Sequence, residues 1–293
     1  MATAREIKRR IRSVKNISQV TRAMEAVAAS KMRKAQAQVL ASRPYAEHAW
    51  DVLTHLTTLR RSRADLQPLL QIRPVRRIGL VLITADRGLA GGLNGNMIRE
   101  AVRYIRHWQD QGLEVQLVTV GRKGRDWMRR YGPRIRAEFD NPGDHPTAAD
   151  ITPITRVVID DFASEAFDAY YVGYTSFINT IIQRPVVRKI LPIEPSEPTK
   201  VMAPDYIFEP DAQTILEQVL RGFTEWQILQ AIYEALASEH SARMVAMRNA
   251  TEAAYDLIND LTLRYNKVRQ EAITKEILDI ANGAEALAQA RGG

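Results

Sequence analysis

The sequence predicts an α/β protein in which long N- and C-terminal helices form an antiparallel coiled coil, with a smaller α/β domain between them in the chain. The first supporting observation is the uneven spread of residues that break helices. The first proline is Pro44, the first glycine is Gly79, and no proline follows Pro210. The second observation is the helical spacing of apolar residues near both ends. Both ends are therefore expected to be long helices.

Apolar or small side chains recur at steps of three and four in both terminal segments, a spacing typical of a coiled-coil seam. The N-terminal seam is predicted to contain Ile7, Ile11, Val14, Ile17, Thr21, Met24, Ala28, Met32, Ala35 and Val39. The C-terminal seam is predicted to contain Met247, Ala250, Ala254, Leu257, Leu261, Tyr265, Val268 and Ala272. Helices from about Thr3 to Thr58 and from about Asp211 to Gln289 would be roughly 80 and 115 Å long. Each helix must bury its row of apolar side chains against another long helix, so we expect the two ends to pair.

The middle of the chain alternates strand-like and helix-like segments, which predicts a mostly parallel sheet flanked by helices, with room for an antiparallel edge. The strands are expected at 78–84, 114–121, 134–139, 168–176 and 180–191. The helices are expected at 96–111, 123–131 and 147–166. The predicted division is an N-terminal helix (1–58), a linker (59–77), a central Rossmann-like α/β domain (78–209) and a C-terminal helix (210–293).

Charge and cysteine content restrict the possible functions. The chain has no cysteine, which excludes disulfides, thiolate metal sites and thiol switches. Its formal charge of +7 is concentrated at one end, because residues 1–43 hold eleven lysines and arginines against two acids, a net charge of +9. Such a basic helix suits nucleic acid, anionic lipid or an acidic protein surface, or is simply a solvated face. No stretch has the apolar length of a membrane span or a signal peptide, so we expect a soluble or peripheral protein.

No part of the sequence has the pattern of a catalytic or cofactor site. The loop 86–95 is rich in glycine and follows a strand, but it lacks the spacing of a Walker or dinucleotide loop. Two structures of this loop stay open. We favour a glycine-rich turn from which Arg87 projects, and the minor alternative is a nest of backbone N–H groups that binds phosphate. The five histidines are scattered and form no cluster with metal-ligand spacing. His240 and the neighbouring Glu239 are expected to be solvated or at an interface. Asp160 and Asp161 are expected to lie on a solvated helix face. We therefore expect no enzymatic activity, no cofactor and no metal.

Three sets of sequence blocks carry a more specific signal. The first is IKRRIRSVKNISQVTRAM at 7–24, followed by VAASKMRKAQ at 27–36. The second is DRGL and GGLN in the glycine-rich loop, with DY at 205–206 and EPD at 209–211. The third is ARMVAM from 242, AT from 250, LTL from 261, YNK from 265, RQ from 269, IT from 273 and GA from 283. Together these blocks, which cover essentially the whole chain, resemble the gamma subunits of F-type ATP synthases.

The resemblance implies a rotating central shaft without catalysis of its own. In the family, the coiled coil enters a hexamer of alternating alpha and beta subunits, and the α/β domain lies outside it near the membrane, resting on a ring of c subunits. Ion flow turns the ring and the shaft, which presents a different face to each catalytic beta subunit in turn. The resemblance also implies an epsilon subunit as partner, one copy of the chain per complex, no nucleic acid, and a peripheral position at the cytoplasmic face of a bacterial membrane.

Site residues follow from the resemblance by position. The residues expected to contact beta subunits are Arg269, Gln270, Thr274, Met24, Arg243, Arg87, Arg9, Arg10, Arg33 and Lys34. Of these, Met24 is expected to pack near the segment around Arg269, with Arg243 close by. The c-ring contacts are expected at Tyr206 and Glu209.

Two other functions stay open at this stage. The first is an α/β enzyme that binds a nucleotide or a phosphate metabolite, which the spacing of the loop 86–95 disfavours. The second is a coiled coil that binds nucleic acid through its basic first helix, although aromatic residues that stack on bases are sparse there.

Overall fold

A computed structural model describes the backbone of residues 3–59, 67–194 and 212–291, and the side chains of residues 3–41, 67–194 and 214–283. The helices are α1 (Ala4–Leu59), α2 (Leu93–Asp110), α3 (Arg122–Tyr131), α4 (Ala148–Ala163) and α5 (Ala212–Arg291). The strands are β1 (Arg77–Ile83), β2 (Glu114–Val120), β3 (Ile135–Phe139), β4 (Ala169–Phe177) and β5 (Gln183–Leu191). The two long terminal helices and the alternating middle are confirmed, and α1 continues through Pro44.

The five strands form one mixed sheet in the order β3-β2-β1-β4-β5. The strands β1 to β4 run parallel, and β5 pairs antiparallel with β4 at the edge. The mostly parallel sheet with an antiparallel edge is therefore confirmed. Because β1 is followed along the chain by β2 on one side and later by β4 on the other, its carboxyl end lies at the point where the strand order reverses.

The sheet is packed between helices on both faces because its central strand alternates its side chains. Ile78, Leu80 and Leu82 of β1 pack in a core with α2 and α3. Val81 and Ile83 point the other way, into a core formed with α4 and part of α5. This period-two alternation explains why the strand is a continuous apolar run, since both of its faces are buried.

The chain forms two compact units. One contains Met1–Val27 and Val245–Gly293, and the other contains Ala28–Met244. The first unit is therefore made from the N-terminal part of α1 and the C-terminal part of α5, whereas the second contains the sheet. The division predicted from sequence, at 58/59, 77/78 and 209/210, stays a prediction.

In the first unit, α1 and α5 run antiparallel in a fixed register. The hydroxyls of Thr21 and Thr251 are 2.7 Å apart, and Arg248 Nε donates to Glu25 Oε1 at 2.9 Å. The buried or half-buried seam of α1 contains Ile7, Ile11, Val14, Ser18, Thr21, Met24 and Glu25. The seam of α5 contains Met247, Thr251, Ala254, Ile258, Leu261, Tyr265 and Val268. Steps of three and four alternate along both helices, which is the geometry of a coiled coil.

The predicted seam was wrong by one residue at two places, and Ala272, which was also predicted in the seam, is exposed. Ile17 is 52% exposed while Ser18 is buried, and Leu257 is 46% exposed while Ile258 is half-buried. The Ser18 hydroxyl donates to the Lys15 carbonyl at 2.8 Å, so its polar atom is satisfied within its own helix. A small hydroxyl side chain can therefore occupy a seam position, which apolarity alone does not reveal.

No helix within the described residues is both long enough and apolar enough to cross a membrane.

Candidate functional site

The glycine-rich loop that follows β1 lies where doubly wound sheets commonly bind ligands. Several polar groups in and beside the loop are instead bonded within the protein. The Ala85 N–H donates to Asn94 Oδ1 at 3.0 Å, and the Gly124 N–H donates to Thr84 Oγ1 at 2.9 Å. Asp86 Oδ1 accepts the Arg122 N–H at 2.9 Å, which places a carboxylate at the amino end of α3. The first turn of α3 thus binds a side chain of the loop itself.

Helix α5 fills the crevice beside this loop. Ile232, Leu236 and Glu239 of α5 line a cavity of about 10 Å³ together with residues of the loop and of the strands β1, β2 and β4. That volume holds at most about one water molecule. The crevice has no room for a nucleotide, which argues against the enzyme alternative at this position.

Arg243, an expected beta contact, is largely engaged inside the second unit. Its Nη2 donates to Glu239 Oε1 at 2.6 Å and to the Gly88 carbonyl at 3.3 Å. The two charged side chains are only 13% and 11% exposed. Burial raises the pKa of Glu239 and the charge of Arg243 opposes that rise, with Asp86 among the nearby acids that add to it. Arg243 therefore fixes the glycine-rich loop, from which the expected contact Arg87 projects into solvent.

The segment before α4 is tied to both terminal helices within the second unit. Asp144 accepts a hydrogen bond from Lys31 Nζ of α1 at 2.6 Å, and its other oxygen lies 3.2 Å from His240 Nε2 of α5. Of the two expectations for His240, a solvated position is wrong, because the side chain is buried, and an interface position stays a prediction. Burial lowers the pKa of His240 to about 4. Burial disfavours the charged form of Asp144, yet Lys31 and the neighbouring histidines lower its pKa overall. The expected basic contacts Arg33 and Lys34 are exposed on α1 in the same unit.

In the first unit, Arg9 and Arg10 are exposed on α1, and Met24 is half-buried in the seam. The Glu25–Arg248 pair places Met24 opposite the part of α5 near residue 248. Arg269 lies about 30 Å further along α5, at 1.5 Å per residue. The expectation that Met24 packs near Arg269 is therefore wrong, because the antiparallel register separates them.

Beyond Val268, α5 extends past the start of α1. Every described side chain from Arg269 to Gly283 is exposed, including Gln270 and Thr274. The exposed set includes four large apolar residues, Ile273, Ile277, Leu278 and Ile280. Three of the expected beta contacts, Arg269, Gln270 and Thr274, thus lie at the beginning of a helical end whose described side chains are exposed and partly apolar. Tyr206 and Glu209, the expected c-ring contacts, lie outside the described residues.

Sequence reasoning missed a buried polar cluster in the second unit. Asp161 is buried although its neighbour Asp160 is exposed, so the expected solvated face is correct for only one of the pair. Arg136 binds Asp161 with two hydrogen bonds, of 3.2 and 3.0 Å, and the Tyr170 hydroxyl donates to Asp161 at 3.0 Å. Gly79 makes room for this cluster, since a Cβ there would lie 2.2 Å from the ring of Tyr170. A glycine inside an apolar strand was the available signal.

Known proteins resemble this chain over nearly its whole length. A family model described as ATP synthase matches residues 3–287. The ATP synthase gamma chains of Dehalococcoides mccartyi (strain CBDB1) and Roseiflexus sp. (strain RS-1) are each 50% identical, covering 98% and 99% of this chain and 100% of both relatives. A chain of the Euglena gracilis mitochondrial ATP synthase, in a structure of OSCP, F1 and the c-ring, superposes with a TM-score of 0.69 at 19% identity, covering 98% of this chain and 95% of that one. The chain therefore belongs to the ATP synthase gamma-chain family.

Proposed function

We propose that this chain is the rotating central shaft of an F-type ATP synthase. It couples ion-driven rotation of the c ring to ATP synthesis on the beta subunits, or ATP hydrolysis there to ion pumping. The chain contributes shape and contacts, and the catalytic groups belong to the beta subunits.

The observation that carries the proposal is the uncovered end of α5. Every described side chain from Arg269 to Gly283 is exposed to solvent, and Ile277 and Ile280 are 60% and 73% exposed. Exposed apolar side chains on an isolated helix favour a site covered by another protein. A sleeve formed by the alpha and beta subunits supplies that cover, with Arg269, Gln270 and Thr274 in contact with a beta subunit.

Coupling requires that the shaft interact differently with the different states of the beta subunits, since a partner that binds every state equally shifts none of them. A single chain has no rotational symmetry. Inside a symmetric ring of subunits it necessarily presents a different face to each one. Rotation then changes which beta subunit receives which face, and with it the nucleotide affinity of each site.

The proposal includes further partners and a location. Basic residues near the start of α1 (Arg9 and Arg10) and near its middle (Arg33 and Lys34) are exposed and suit acidic surfaces of the beta subunits. The epsilon subunit and the c ring are the other partners, the latter through Tyr206 and Glu209. The complex lies at the cytoplasmic face of the bacterial membrane, where this chain is peripheral.

Purification through an affinity tag on this chain tests the proposal. We expect recovery of alpha, beta and epsilon subunits with one copy of the tagged chain per complex, measured by native mass spectrometry. A matched chain that ends after Val268 should lose much of the alpha and beta yield. Recovery of two or more copies per complex, or of no alpha and beta subunits with the full chain, would contradict the proposal.

A further inference from the structure

An open groove of about 320 Å³ lies at the amino-terminal edge of the parallel strands, opposite the glycine-rich loop. Three arginines line it: Arg77 at the start of β1, and Arg134 and Arg136 just before and within β3. Glu114 is the only acid among the lining residues, and Ala166 with Phe167 supplies an apolar wall. The groove therefore combines an excess of positive charge with a volume in the range of small-ligand sites.

Arg136 is oriented in this groove by the backbone and by Asp161. It lies at a β-bulge, where the register between β2 and β3 shifts after Leu117, and bulges often redirect a side chain. Its guanidinium makes two hydrogen bonds to the buried Asp161, which also accepts one from Tyr170. A guanidinium has five N–H donors, so this pairing leaves donors for another partner.

The other two arginines differ in their bonding. Arg77 Nη2 donates to the Glu165 carbonyl at 2.7 Å, which fixes that side chain at the groove. The guanidinium of Arg134 makes no hydrogen bond or ion pair with any residue that the structure describes. The acid Glu114 is itself held by Gln116 Nε2 at 2.8 Å. Two arginines are thus positioned by the protein, and a third is free to close on a ligand.

We infer that this groove binds a phosphate-bearing ligand. Guanidinium groups match the oxygens of phosphate in a two-point geometry, and several of them around one anion are a recurrent phosphate site. The apolar wall suits the organic part of a phosphate ester. A soluble phosphate and a phospholipid headgroup offer the same chemistry, so the experiment must separate these two sources.

The test uses the full chain and two matched variants. Arg134→Gln removes the free guanidinium without uncovering a buried charge, whereas Arg136→Gln would leave Asp161 unpaired and risk misfolding. Arg106→Gln is the control, since Arg106 is exposed on α2 and outside the groove. Each protein is titrated calorimetrically with inorganic phosphate and, separately, co-sedimented with vesicles of phosphatidylglycerol or of phosphatidylcholine alone.

We expect Arg134→Gln to weaken binding at least ten-fold in one arm or both, and Arg106→Gln to change it less than two-fold. Binding of inorganic phosphate identifies a soluble ligand, and binding of phosphatidylglycerol vesicles without it identifies the headgroup. Absence of binding in both arms would overturn the inference. Equal losses in the two variants would also overturn it, because they would indicate attraction by overall positive charge.

Discussion

At the residue scale, burial separates charged groups that look alike in sequence. Asp160 and Asp161 are neighbours on α4, but only Asp161 is buried and bonded to Arg136 and Tyr170. Similarly, Glu239 and Arg243 form a buried pair whose spacing of four residues along a helix is a recognisable signal. Sequence shows that such pairs can form, whereas the cores that bury them depend on residues distant in the chain.

The aspartate pair gives a matched test of stability. We expect Asp161→Ala to lower the free energy of unfolding by about 2 kcal/mol, because it removes three hydrogen bonds and leaves Tyr170 without its buried acceptor. Asp160→Ala, at an exposed position, should stay within about 0.5 kcal/mol of the unaltered chain. Urea unfolding followed by circular dichroism measures both values. Equal effects of the two changes would contradict a stabilising role for the hydrogen bonds that Asp161 accepts.

His240 makes the stability depend on pH in a defined window. Its pKa is lowered to about 4 in the folded chain by burial, from an ordinary value of 6.5. Between those two values the unfolded chain binds the proton and the folded chain does not, so stability falls as the pH decreases from 6.5 towards 4. At about 1.36 kcal/mol per pH unit, we expect a loss of about 2 kcal/mol by pH 5 and of up to about 3 kcal/mol across the whole window.

The measurement is the urea midpoint between pH 7.5 and 5, for the unaltered chain and for His240→Gln. The variant should lose much of this dependence, while acids such as Asp144 act at lower pH because its pKa is lowered. An identical pH dependence in the two proteins would exclude His240 as its source.

Arg269 and Gln270 are exposed on the uncovered end of α5, so their roles should be functional and not structural. We expect Arg269→Ala or Gln270→Ala to weaken torque coupling while the unfolding midpoint stays nearly unchanged. Arg264→Ala is the control, since that exposed side chain pairs, among the described residues, only with Asp260 on the same helix. Unchanged ATP synthesis and ATP-driven rotation in the reconstituted complex would remove both residues from the beta contact.

At the element scale, the sequence predicted nearly every helix and strand of the middle region, because their apolar periods are strong and their turns contain glycine or proline. The second strand of the antiparallel pair begins at Gln183 and not at residue 180. Asn179 Oδ1 accepts the N–H groups of Ile181 and Ile182, so a side chain shapes the turn. The coiled-coil register was less predictable, since Ser18 is satisfied by its own helix and replaces Ile17 in the seam.

The end of α5 should act as a docking element. We expect the double change Ile273→Gln and Ile277→Gln to leave the stability of the chain unaffected, because neither side chain is covered. The same change should weaken assembly with the alpha and beta subunits, since burial of apolar area drives association. Ile72→Gln is the control, because Ile72 is 74% exposed in another part of the chain. Assembly yields that do not differ between the two proteins would contradict a docking role.

At the scale of the whole molecule, the sheet-containing unit has the strand order of a doubly wound α/β domain, and the crevice at its switch point has no room for a nucleotide. The strand order places a glycine-rich loop at the usual position, and loop spacing alone disfavoured a nucleotide there. The physical reason is visible only in three dimensions, since Leu236 and Glu239 of α5 fill the crevice. Part of α5 is thus the element that fills the crevice where such sheets commonly bind ligands.

If this chain turns inside a stationary ring of alpha and beta subunits, as we propose, the rotation of a single labelled chain can be observed. The chain has no cysteine, so Gln109→Cys, at an exposed position on α2, gives one unique attachment point for a probe. With the alpha and beta subunits fixed to a surface and ATP added, we predict stepwise rotation of the probe through full turns in one direction. A probe that stays fixed or only rocks while the complex hydrolyses ATP would contradict a rotating shaft.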